Sequence, residues 1–439
     1  MSFDSDRNPS PPPEILKNEN LVPDRVGKSV YSKQWVYKTL MAVIEVIKST
    51  ASDKPGNSDN SAEKNENDMV ELDPKIEEDA CTLWDMAANP EVADFLYECG
   101  APDIFLDVVD STKSPRLLEI VIGILGNMTS FDAVCQNLSK NKQAVYSTLM
   151  LSGTSDSPTL LQVFRLIQCG VANKKSQHFW FDAFEEHPFF MENIKFIFEN
   201  SLNGAVLQEA YQLLDTILME NLIYCYSWGQ QAHLAAIVEG GKQLLKCEQS
   251  LDTFFGLLHT LCYYPPNVKL CAKHFKELNR LFFAFFLNLG DEEALPDVSR
   301  LTIITLTFEI YGRLLQCPGL DREMISTDID VLKAIHKVSC HVNSLISDVK
   351  RENVKVMTFM DEEDEAGPRI LRRTEDRNGR TYITMMTEEN FNCWMVLARK
   401  INHAATCLSQ YIEKDDEKEV LDDIFASKVP EENIGILII

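Results

Sequence analysis

The sequence predicts an all-α chain. Three observations carry that reading: apolar residues recur at helical spacing from residue 73 onward, period-2 alternation is nearly absent before residue 369, and one helix-start segment returns after a fixed interval. Ser114-Pro115-Arg116-Leu117-Leu118-Glu119-Ile120 recurs 43 residues later as Ser157-Pro158-Thr159-Leu160-Leu161-Gln162-Val163. Weaker echoes follow at Val206, Ser250 and Val298. Intervals of this length belong to armadillo and HEAT arrays, and two shorter apolar segments before each long one (92–98 and 103–109, then 133–138 and 143–151) favour the three-helix armadillo unit. The predicted architecture is an armadillo/HEAT-like α-solenoid.

The elements follow in chain order. Residues 1–27 form a disordered tail, because Pro9, Pro11, Pro12 and Pro13 favour extended polyproline conformations over packing. Residues 28–48 form an amphipathic helix behind a Ser N-cap, with Tyr31, Trp35, Leu40, Val43 and Ile47 at helical spacing. Residues 49–72 are small, polar and acidic, a flexible linker that tethers this helix. Residues 73–350 form the solenoid. In 351–386 an acidic run (361–365) precedes two pairable segments around Asn378-Gly379, which predicts a β-hairpin with a two-residue turn. Residues 387–413 form a last helix capped by Thr387, and 414–439 an acidic tail.

Composition excludes several functions. The chain has 439 residues with 42 Lys plus Arg against 67 Asp plus Glu, a net charge of −25 that opposes a nucleic-acid-coating role. The apolar run Leu281–Leu287 is far shorter than the roughly 20 residues a membrane span needs. The N-terminus lacks a basic segment followed by an apolar one, so secretion is not expected. Twelve scattered Cys without a CxxC pair suit small buried hydrophobes in a reduced compartment.

A search for chemistry finds no phosphate-cradling glycine motif, no H-E-x-x-H and no G-x-S-x-G. Cys262, Cys271 and His274, and likewise His336, Cys340 and His341, fall short of a four-ligand metal set. No catalytic, cofactor or metal residue is predicted, and the chain is expected not to be an enzyme. The aromatic run 179–181 with Phe184, Phe189 and Phe190 reads as core. Arg369, Arg372, Arg373, Arg377 and Arg380 form the only basic cluster, an alternative RNA-binding segment. Ser10, before Pro11, has the format of a phosphorylation site.

In armadillo arrays the third helix lines a concave groove where an Asn can hold an extended peptide through its amide. Glu119, Gly123 and Asn127 are spaced four apart on one helix face. With Gln162 they form the candidate partner-binding surface, and the N-terminal helix docks nearby through Tyr31 and Trp35. Bracing of the neighbouring repeat is an equal reading of Asn127. Gly123 stands where nuclear-import receptors carry a Trp, so recognition of basic import signals is not expected.

Several segments resemble a known family. Asp6–Pro13, Gly27–Trp35, Leu83-Trp84-Asp85-Met86, Ala101–Phe105 and Ser114–Met128 are similar, in order, to the serum amyloid A-like protein 1 family. The resemblance covers roughly the first 130 residues and implies a non-enzymatic, armadillo-like protein, nuclear and associated with promoting cell proliferation. It supplies no established site residues. The hairpin and acidic tail are read as departures or lineage-specific features. The expected protein is a monomeric interaction scaffold of the nucleus, with a cytoplasmic pool open, and without cofactor or membrane partner.

Overall fold

The computed structural model describes residues 24–52, 71–291, 298–315, 317–318, 369–375 and 381–387. The chain enters through a turn in which Gly27 takes φ 55°, a left-handed conformation that glycine adopts without strain. There the Lys28 N–H donates to Glu91 Oε2 at 2.8 Å. Helix α1 (Lys33–Ser52) follows. Its first turn is capped twice: Ser32 Oγ accepts from the Trp35 N–H at 3.0 Å, and Asp24 Oδ1 accepts from the Gln34 N–H at 2.8 Å. The helix runs past residue 48 through the first residues assigned to the linker, of which 53–70 lie outside the described residues.

Helix α2 (Pro74–Met86) precedes a series of three-helix repeats. The first contains α3 (Pro90–Glu98), α4 (Ala101–Ser111) and α5 (Pro115–Met128). The second contains α6 (Asp132–Lys140), α7 (Lys142–Met150) and α8 (Ser157–Ala172). Then come α9 (Gln177–Glu186), α10 (Phe189–Asn200) and α11 (Gly204–Glu220). The fourth group is α12 (Ile223–Trp228), α13 (Gln231–Lys246) and α14 (Asp252–Tyr263). The last is α15 (Pro265–Ala272), α16 (Phe275–Asp291) and α17 (Val298–Leu315). The fold is an all-α solenoid of armadillo-like repeats.

Local chemistry sets the helix starts. Asp73, Asn89, Asn141 and Asn203 each accept two backbone N–H groups at an N-cap, and Pro74 and Pro90 occupy first-turn positions where a missing N–H does no harm. The two Ser-Pro starts are not equivalent. Ser114 caps α5 as expected, but Asp156 caps α8, accepting from the Thr159 N–H at 3.0 Å, so Ser157 is already inside the helix. A carboxylate one residue earlier is the stronger acceptor and moves the start.

By its internal contacts the chain divides into residues 1–197 and 198–439. In the first unit α1 packs on α2 and α4, and α5 lies between α2 and α8. In the second, α14 lies between α11 and α17. Third helices thus stack side by side within each unit, and the core runs between them: Leu117, Ile120, Ile124, Leu160, Phe164 and Ile167 in the first, Leu207, Leu214, Phe255, Leu258 and Phe308 in the second. Trp180, Phe184 and Phe190 are buried, as the core reading of that aromatic run requires.

Strands β1 (Arg369–Glu375) and β2 (Thr381–Thr387) pair antiparallel. The hairpin is present, but Glu375 pairs with Thr381, leaving five residues between the strands instead of two. A two-residue Asn-Gly turn would set Arg377 directly opposite Arg380, a like-charge pair that costs stability. Thr387, expected to cap a helix, ends β2. The tail before residue 24 with Ser10, the acidic run 361–365, Arg377, Arg380, and the helix and tail after 387 lie outside the described residues.

Candidate functional site

The expected groove residues lie on the third helices of the first unit, where their polar groups are already engaged. Asn127 is buried, 8% exposed. Its Nδ2 donates to the Trp84 carbonyl at 2.8 Å and its Oδ1 accepts from Arg165 Nη2 at 2.7 Å. One side chain therefore ties α2 to α5 and α5 to α8, and both polar atoms of its amide already have partners in neighbouring helices. Gly123 is covered as well. A Cβ built there would lie 2.2 Å from the Trp84 ring, so the indole of the preceding third helix fills the space above it. The Trp that import receptors place on the same helix comes here from its neighbour, and it closes the surface.

Glu119 accepts from Arg116 Nη1 at 2.6 Å, and Arg116 Nε reaches Glu77 Oε1 at 2.7 Å. These two carboxylates raise the guanidinium pKa further above its ordinary value. Gln162 is half-buried, and its Oε1 has no hydrogen-bond partner among the described residues. Tyr31 and Trp35 are half-buried at the flank of α1, whereas its anchors are Val36, Thr39, Leu40 and Val43. The buried stripe is rotated by about one residue from the face drawn through Tyr31 and Trp35.

The second unit differs. At the C-terminal ends of α11 and α14, large apolar side chains face solvent: Met219 65%, Leu222 57%, Ile223 78%, Tyr226 62% and Tyr263 67% exposed, with Tyr264 beside them. Tyr226 and Tyr264 meet edge to face with ring centroids 6.4 Å apart, which joins the second half of α12 to the start of α15. The joint beneath is rigid, since the buried Asn267 donates through Nδ2 to the Cys225 carbonyl at 2.8 Å and the Leu261 carbonyl at 2.9 Å. Sequence patterning missed this patch. Its signal is Tyr263-Tyr264 before Pro265: the proline forces a new helix, leaving two aromatics at a break where no neighbouring turn covers them.

Higher on the same third helices, the half-buried Asp215 is pushed above the ordinary carboxylate pKa by burial, partly offset by a hydrogen bond from Thr260 and by His259. Its Oδ1 has no hydrogen-bond partner among the described residues. His259 Nε2 lies 3.6 Å from Glu309 Oε2 on α17. In the first unit a cleft of about 350 Å³ is lined by Tyr97, Glu98, Asp103, Leu106, Asn137 and Asn141. Among the described residues no helix is long and apolar enough to cross a membrane.

Residues 190–428, more than half of the chain, match the family model described as the SAAL1 C-terminal domain. The chain belongs to the SAAL1 family. It is 34% identical over 271 residues to Protein saal1 of Danio rerio, covering 58% of this chain and 55% of that protein. It is 35% identical over 216 residues to Protein SAAL1 of Mus musculus and 36% identical over the same length to Protein SAAL1 of Homo sapiens, in both cases covering 48% of this chain and 44% of the relative. The chain spans about half the length of the curated relatives it matches.

The range matched by the SAAL1 C-terminal domain includes the aromatic patch, Asp215 and the β-hairpin. The short segments that carried the resemblance lie in the other half of the chain. Crystal structures of two engineered proteins align with 67% and 85% of the chain at 14% and 13% identity, with TM-scores of 0.32 and 0.28. Likeness at that level adds nothing to the fold described above.

Proposed function

We propose that the chain is a non-enzymatic scaffold for protein–protein interaction, and that its partner-binding surface is the patch formed by Met219, Leu222, Ile223, Tyr226, Tyr263 and Tyr264. The observation that carries this reading is the run of exposed large apolar side chains at these helix ends, with Tyr226 and Tyr264 in ring contact beside the joint that Asn267 ties together. Contiguous apolar surface of this kind is costly to leave in water and marks interaction sites, and Tyr combines a large apolar face with a hydroxyl for orientation. The groove around Glu119, Gly123 and Asn127 gives way to it, because the polar groups there serve neighbouring helices. The resemblance in the first 130 residues extends the proposal to a nuclear setting and to cell proliferation.

The test is capture from nuclear extract with wild-type chain and with the double variant Ile223→Asp, Tyr226→Ala. Both side chains are exposed, so the variant is expected to fold with an unchanged circular dichroism spectrum and to lose its specific partners by about tenfold or more. An undiminished partner set would overturn the placement of the surface. The RNA reading has no observation in its favour beyond the arginines themselves, and it requires RNA binding at about 50 mM salt that weakens steeply as salt rises.

A further inference from the structure

Among the described residues, Cys262 and Cys271 belong to no group of three or more His, Cys, Asp or Glu arranged to hold a metal ion. They are instead a thiol pair. Their Sγ atoms lie 3.7 Å apart, and the side chains are 1% and 0% exposed. Cys262 sits in the last turn of α14 and Cys271 in the last turn of α15, with Pro265 and Pro266 setting the break between them. Cys317 stands at the rim, half-buried, its Sγ 3.9 Å from the carbonyl of Val268, one turn before Cys271. A fourth thiol, Cys225, faces the carbonyls of Leu218 and Thr260 instead of another sulfur.

We infer that Cys262 and Cys271 form a site of reversible oxidation, closing to an intramolecular disulfide when a hydroperoxide accepts two electrons from the pair. With hydrogen peroxide, one sulfur attacks a peroxide oxygen, the O–O bond breaks, and a sulfenic acid and a water result. The second sulfur then attacks the first, the S–O bond breaks, and the oxygen leaves as a second water carrying the remaining thiol proton. A small dithiol reverses the reaction by exchange. Contact between the sulfurs decides the outcome. A sulfenic acid at either position meets a thiol before it meets a second peroxide, so the disulfide forms instead of the higher oxides. Closure from 3.7 Å to the S–S distance of about 2.05 Å asks only for a small shift at a helix joint. The ring it closes contains Tyr263 and Tyr264, yet the chemistry stands independently of the interaction reading.

The neighbouring Cys262 and burial together hold the Cys271 thiol well above its ordinary pKa. Thiolate is the reactive form, so attack by Cys271 is slow at neutral pH and speeds up further into the alkaline range than attack by an exposed thiol. The experiment treats the native full-length chain with hydrogen peroxide at pH 7 and pH 9, quenches by alkylation in denaturant and maps cysteine peptides by mass spectrometry. The expected product is a Cys262–Cys271 crosslink that appears faster at pH 9, vanishes with dithiothreitol and is absent from Cys262→Ser and Cys271→Ser. The wild-type map needs no variant to fold. A crosslink through Cys317, or Cys262 and Cys271 still fully alkylatable after Cys317 has been oxidised, would overturn the assignment.

Discussion

Gly123 and Gly126 lie three residues apart on one buried helix and predict opposite responses to a single methyl group. Alanine at 123 drives Cβ to 2.2 Å from the Trp84 ring, whereas nothing lies within 4 Å of a Cβ at 126. Gly123→Ala should therefore cost about 1–3 kcal/mol through overpacking, and Gly126→Ala should gain up to about 1 kcal/mol from helix propensity, both read from urea midpoints. Asp215 supplies a pH-dependent case. Its folded pKa is raised by burial, so protonation favours the folded state. Stability on its account is fully present below the unfolded carboxylate value and is lost as pH rises through the raised folded value. Asp215→Asn should remove that dependence and raise the melting temperature at pH 7, and an unchanged pH profile would refute the burial argument. Of these residues only Gly123 stood out in the sequence, through its spacing with Asn127. Their roles were hidden because the groups that engage them, Trp84 and Arg165, are 39 and 38 positions away, and side-chain pairing across a solenoid leaves no local pattern.

Helix starts were the most legible elements, since caps and first-turn prolines act within three or four residues. Each echo of the 43-residue interval, at Val206, Ser250 and Val298, falls at the opening of a third helix: α11, α14 and α17. The hairpin exists where Asn-Gly predicted it, but Glu375 pairs with Thr381 across a five-residue connection, so the turn motif located the hairpin without setting its register. Stacking of third helices yields the element-scale prediction. Asn127→Ala would orphan both the Trp84 carbonyl and Arg165, so a loss of about 1–3 kcal/mol is expected. Arg165→Ala should lose less, because the Asn127 bond to the Trp84 carbonyl survives. Equal losses in thermal denaturation would mean that the two contacts do not act through one residue.

For the whole molecule, the charge of −25 is read directly from the sequence. Self-repulsion of that size predicts a melting temperature that rises between about 20 and 300 mM NaCl as screening sets in. A fall would locate the dominant electrostatics in attractive pairs such as Arg116 with Glu77 and Glu119. The same acidity that disfavoured nucleic acid said nothing about the apolar patch, which occupies a few helix ends and vanishes in an average over 439 residues. The tryptophans give the molecule a built-in optical readout. Trp84 lies against Gly123, Trp180 lies against Gly170 and donates to Ser139 Oγ at 2.9 Å, and Trp228 is buried in the second unit. Each indole reports a different stretch of the chain, so red shifts in emission from single-tryptophan variants would show which repeats loosen first.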